Sequence, residues 1–99
     1  MDSQNHKIVT DHLFEIALLV ESVKTEADRD ALSERIYEAA KAENLQVRYP
    51  GISEDGQMAI GGTVSGILKS LAEEPFNPRS IADISQTLRD IASRPLQTW

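Results

Sequence analysis

The side chains able to do chemistry are few and scattered. There is no cysteine, which removes thiolate nucleophiles, disulfides and cysteine-based zinc sites. His6 and His12 are the only histidines. Six residues apart, they do not share a helical face, and Asp2 and Asp11 beside them complete no metal site. His12 adjoins Asp11, but neighbours along a helix point to different sides, so no Ser–His–Asp relay can be assembled. The carboxylate pairs Glu54–Asp55 and Glu73–Glu74 fall at expected helix ends and read as turn chemistry. No catalytic, metal or cofactor residue is assigned, and the chain is read as non-enzymatic.

Three other constellations could act by contact. Glu26, Asp30, Glu34 and Glu38 are spaced by four, which lines them up as a ridge along one helix. Like charges at that spacing cost a few tenths of a kcal/mol per pair, so the ridge suits a basic partner surface. With Arg48 and Tyr49 it is the expected partner-binding surface. Gly61, Gly62 and Gly66 crowd one helical stretch, where each costs about 1 kcal/mol relative to alanine. Gly62 and Gly66 would let two helices touch. A phosphate cradle is the alternative for a small ligand or nucleotide, but no lysine follows at the P-loop spacing. Arg79, Arg89 and Arg94 give a second alternative, a DNA-associated regulator using the fourth helix. Asp83 and Asp90 interrupt them, and basic residues are spread over the whole chain.

The elements that must position these groups are helices. Leu13 to Val23 is almost wholly apolar. Val9, Leu13, Ile16, Val20 and Val23 alternate steps of four and three, the seam of a bundle. Phe14, Ala17 and Leu18 lie off that seam, so the helix should be buried on more than one side. Leu13, Phe14, Ala17 and Leu18, with Gly62 and Gly66, are the expected oligomer interface. Thr10 is the preferred cap of this helix, with Ser3 the alternative, and residues 1–7 form a loose tail. The helix should end near Lys24. Thr25 caps helix two, about Glu26–Glu43, with Asp28 facing its free amides. Asn44 terminates it in a left-handed turn and Leu45 folds back. A tight turn makes helices one and two an antiparallel hairpin.

Residues 45–52 alternate apolar and polar at Leu45, Val47 and Tyr49 and suggest a short extended connector ending at Pro50-Gly51. Helix three starts near Ser53 or Asp55, shows an apolar face of Ile60, Val64, Ile67, Leu68 and Leu71, and stops before Pro75. Asn77 caps helix four with Pro78 in its first position, and Phe76 staples to Ile81. Ile81, Ile84, Leu88 and Ile91 continue its seam to Pro95. Residues 96–99 are a tail.

The 99 residues, 40% hydrophobic and 26% charged, make one all-α domain over residues 1–99. A chain this size buries roughly 60–65% of its unfolded surface, so oligomer contacts would add burial readily. The net charge of −6 argues against nucleic acid and anionic membranes and favours a protein partner. No signal peptide or membrane span is visible, and a chain without cysteine suits a reducing cytoplasm. An acidic helical hairpin followed by Tyr49-Pro50-Gly51 resembles the nuclease-colicin immunity proteins. That resemblance implies a small acidic inhibitor binding a basic enzyme through helix two and the Tyr49 segment. Arg48 stands where that family has a first tyrosine. The glycine-rich third helix and the Asn77-Pro78 helix have no counterpart there, so the family is not assigned. The reading is a homo-oligomeric cytoplasmic protein of inhibitor, anti-activator or adaptor type.

Overall fold

Five α-helices and one 3-10 turn make up the computed structural model, which describes residues 1–73 and 76–99. They are α1 (Ser3–Glu21), α2 (Glu26–Ala40), α3 (Ala42–Arg48), α4 (Glu54–Glu73) and α5 (Pro78–Ala92), with the 3-10 turn at Leu96–Thr98. The stop expected at Pro75 and the Glu73–Glu74 pair involve Glu74 and Pro75, outside the described residues. No strand occurs among the described residues.

The caps set the helix starts. Thr25 and Asp28 form a reciprocal capping box at α2. The Asn77 carboxamide accepts from the Arg79 amide at 2.9 Å, with Pro78 next in line. At α4 the Ser53 hydroxyl accepts from the Gly56 amide at 3.1 Å. Each satisfies a donor the helix itself leaves free.

α1 begins eight residues earlier than the Thr10 cap predicts, and one residue before the Ser3 alternative. Asp2 is the cap, accepting from the Asn5 amide at 2.8 Å. Residues 1–7 are therefore not a loose tail. Asn5 is buried, and its Oδ1 accepts from the Ser53 amide at 2.6 Å while its amide nitrogen reaches the Gly51 carbonyl at 3.5 Å. That clasp ties the first turn of α1 to the entry of α4. Gly56 makes room for it, since a Cβ there would lie 3.0 Å from Asn5 Oδ1. Thr10 sits mid-helix, its hydroxyl oxygen buried without a partner. The helix stops at Glu21 rather than Lys24, with Ser22 as its C-cap.

The extended connector is corrected to a helix. α3 buries Leu45 and leaves Val47 82% exposed. Leu45, Val47 and Tyr49 fit a period of two, but Leu45 and Tyr49 are also four apart, and the Tyr49 amide donates to the Leu45 carbonyl at 2.8 Å. With no strand to pair, the helical option satisfies the backbone. Asn44 adopts no left-handed turn; its side-chain amide donates to the Glu38 carbonyl at 2.6 Å.

The helices pair as α1 with α5 and α2 with α4, those being the most extensive contacts. α1 and α2 also meet, but the hairpin they form is the lesser contact of each. Val9, Leu13, Ile16, Ala17 and Val20 are fully enclosed, with Ile36, Ile60, Val64 and Leu88 around them. Leu13 and Ala17 thus offer no surface to a second copy. Phe14 is half-buried, and Leu18 alone of that group stands out, 60% exposed. The two ends of α1 are fastened to α5 and to the turn that follows it. His6 Nε2 donates to the Arg94 carbonyl at 2.8 Å, and Glu21 takes the Ser85 hydroxyl at 2.7 Å and Arg89 Nη2 at 2.7 Å.

The Asn5 clasp gives a direct expectation. Asn5→Ala strands the Ser53 amide and should cost about 1–3 kcal/mol of stability, read from denaturant midpoints. An unchanged midpoint would show that the clasp contributes nothing.

Candidate functional site

α2 presents more of itself to solvent than the other long helices. Of its fifteen residues only Leu32 and Ile36 are buried. The alternation of small and charged residues explains this, because no second apolar row is available to face another layer. Its five carboxylates, Glu26, Asp28, Asp30, Glu34 and Glu38, are opposed within the helix only by Arg29 and Arg35, a net −3 out of the chain's −6.

The ridge stands as the spacing predicts. Glu26, Asp30, Glu34 and Glu38 are all exposed. Arg29 lies against Glu26 and Asp30 at 3.3 Å each, and Lys41 lies 3.1 Å from Glu38. The Glu26, Asp30 and Glu38 side chains stay well exposed in these pairs, while the Arg29 side chain is largely covered. Glu34 has no partner among the described residues. The spacing of four does not include Tyr37, which the structure adds to this surface. It is 52% exposed, one turn beyond Glu34 and two beyond Asp30, and Lys41 Nζ lies 5.0 Å above its ring. Its i+7 spacing from Asp30 was the available signal. The outcome is an aromatic ring set among carboxylates.

Arg48 and Tyr49 are engaged within the chain. Arg48 forms an ion pair with Glu15 and lies 5.3 Å over the Tyr49 ring. The Glu15 carboxylate holds the Arg48 guanidinium above its ordinary pKa. Tyr49 turns its hydroxyl inward, 2.9 Å from His12 Nδ1, and burial raises its pKa.

His12 is the buried centre of this corner, 1% exposed. Its Nε2 lies 3.1 Å from the Ala39 carbonyl, which can only accept. Nε2 therefore carries the proton, and Nδ1 accepts from Tyr49. One imidazole joins α1, the end of α2 and the residue closing α3. Both ring nitrogens are occupied, and burial pushes the His12 pKa down. His6 lies apart from this corner, against the Arg94 carbonyl. No group of three or more metal-ligating side chains occurs among the described residues.

The glycines lie elsewhere. At Gly61, Gly62 and Gly66 nothing stands within 4 Å of where a Cβ would be. The arginines proposed for a DNA contact are partly spent: Arg89 of α5 on Glu21, and Arg94, just past the end of α5, stacked 5.8 Å over Trp99. A cleft of about 240 Å³ is lined by Glu21, Val23, Phe76, Pro78 and Ile81 among others. The Glu21 carboxylate at its rim is pulled below its ordinary pKa by the Ser85 hydroxyl and Arg89. No described helix is long and apolar enough to cross a membrane. Comparison with protein-family models, with curated proteins and with solved structures finds no match.

The buried imidazole fixes a pH dependence. Its folded pKa is below the unfolded value near 6.5, so the unfolded chain binds the extra proton. The stabilising contribution is complete above about pH 6.5 and is lost as pH falls from there towards the folded pKa. The loss approaches about 1.4 kcal/mol per pH unit, the limit for one proton. His12→Gln keeps a donor and an acceptor but does not titrate, and its stability should be flat over that interval in urea titrations. A wild-type curve equally flat would refute the assignment.

Proposed function

We propose that this protein acts by binding another protein, one with a basic surface, through the outer side of α2. The observation that carries this is α2 itself: a helix fastened by two buried residues that turns Glu26, Asp30, Glu34, Glu38 and Tyr37 to solvent. A row of like charges is strained by its own repulsion, and a basic partner relieves it. Long-range attraction speeds encounter, and an exposed tyrosine supplies the apolar anchor that charge alone lacks. The role is non-enzymatic, of inhibitor, anti-activator or adaptor type, in a cytoplasm where a chain without cysteine needs no oxidising environment. Arg48 and Tyr49 hold the α2–α3 corner in shape and serve the contact by positioning.

The test is a charge reversal. Asp30→Lys, Glu34→Lys and Glu38→Lys together, with helicity and melting temperature unchanged, should abolish capture of the partner from native lysate. Tyr37→Ala alone should weaken capture about tenfold or more, as an anchor residue would. Capture by the triple variant at the wild-type level would remove α2 from the contact.

A further inference from the structure

One side of α4 is left bare by the rest of the chain. Asp55, Met58, Gly62, Ser65, Gly66 and Lys69 are all exposed, Met58 by 67%, while Ile60, Val64, Ile67 and Leu71 fill the core on the other side. Glycine weakens an exposed helix relative to alanine, and the empty space around Gly62 and Gly66 removes packing within the chain as their reason. Two of the charges on this side have a symmetry, with the exposed Glu73 standing one turn beyond Lys69. Asp55 lies seven residues before Gly62 and Lys69 seven after, and seven residues return to the same side of a helix. Turned end for end about Gly62, the face meets itself with acid and base exchanged.

We propose that two copies of this chain pair through α4, antiparallel, about a two-fold axis beside Gly62. Asp55 of each copy lies opposite Lys69 of the other. Met58 of each copy enters the hole framed by Gly62, Ser65, Gly66 and Lys69 of the other, the i, i+3, i+4, i+7 hole of helix packing. The two glycines make that hole deep and let the backbones approach. The contact is isologous and closes at two copies. An open hollow of about 370 Å³ between Met1, Asp55, Met58, Ala59 and Trp99 leaves room beside Met58 for the far end of the second α4. The only internal partner of Lys69 among the described residues is Glu73 at 3.8 Å, both groups well exposed, and such a pair is readily exchanged. This face does not use the α2 carboxylates, and it replaces α1 as the surface for self-association.

Sedimentation equilibrium of the full chain over micromolar to millimolar concentrations tests the pairing. The wild type should show a reversible monomer–dimer equilibrium. Asp55→Lys and Lys69→Asp each place like charges opposite one another and should weaken association at least about tenfold. An equimolar mixture of those two variants restores both opposite-charge pairs and should recover the dimer. Gly62→Ala should raise the melting temperature of the dilute monomer and weaken its association. A wild type that stays monomeric throughout, charge variants that dimerise like the wild type, or a mixture that stays monomeric would each overturn the proposal. None of these results bears on capture of a basic partner by α2, which is read separately.

Discussion

The structure depends on enclosing α1 from several directions at once. Val9, Leu13, Ile16, Ala17 and Val20 cover more than one side of that helix, and all are sealed. A chain of 99 residues has few helices with which to do this. α5 covers one side by close approach, with Ser85 buried against the Ala17 carbonyl. α4 and α2 cover the rest. Removing any one of the three would open apolar surface at about 25 cal/mol per Å², against a net stability of only 5–15 kcal/mol for a typical domain. This demand takes up the inner faces of the other long helices and leaves their outer faces free to differ.

The outer faces do differ. α5 spends Arg89 on holding α1, while Arg79, Asp83 and Asp90 stay exposed. α2 holds on with Leu32 and Ile36 and leaves its carboxylates in solvent. α4 buries four large aliphatic side chains and shows glycine on the reverse. Two of the outer features among the described residues are thus an acidic ridge and a notched helix face. A rigid core behind each means that neither surface has to be ordered on binding, which lowers the entropic cost of a contact.

Much of this was legible in the residues. The Thr25–Asp28 box and the Asn77-Pro78 start are decided by hydrogen bonds a few residues long, so the local sequence is enough. The same holds for the ridge, since a spacing of four places side chains in a row wherever the helix lies. The start of α1 was misplaced because Asp2 and Thr10 are both competent caps. The choice was made by Asn5, whose partners at Gly51 and Ser53 are distant in sequence. α3 was misread because Leu45, Val47 and Tyr49 satisfy two periodicities. The His12 junction was invisible for a related reason: its partners lie 27 and 37 positions away, and an isolated histidine gives no hint of burial. Periodicity likewise shows which side of a helix is apolar but not which helix covers it, so α1 was joined to α2 when its main partner is α5.

That pairing of first helix with last has a consequence during synthesis. As the chain leaves the ribosome, α1 emerges with its seam uncovered, and the helix that shields it most is made last. Translation proceeds at about 5–20 residues per second, so the greasy strip waits for seconds while the chain from Ser22 to Ala92 is made. α2 and α4, closer together in the chain, have time to dock first and form a platform. Closure of α5 over α1 is then a long-range step, and until it happens the nascent chain carries that apolar strip uncovered.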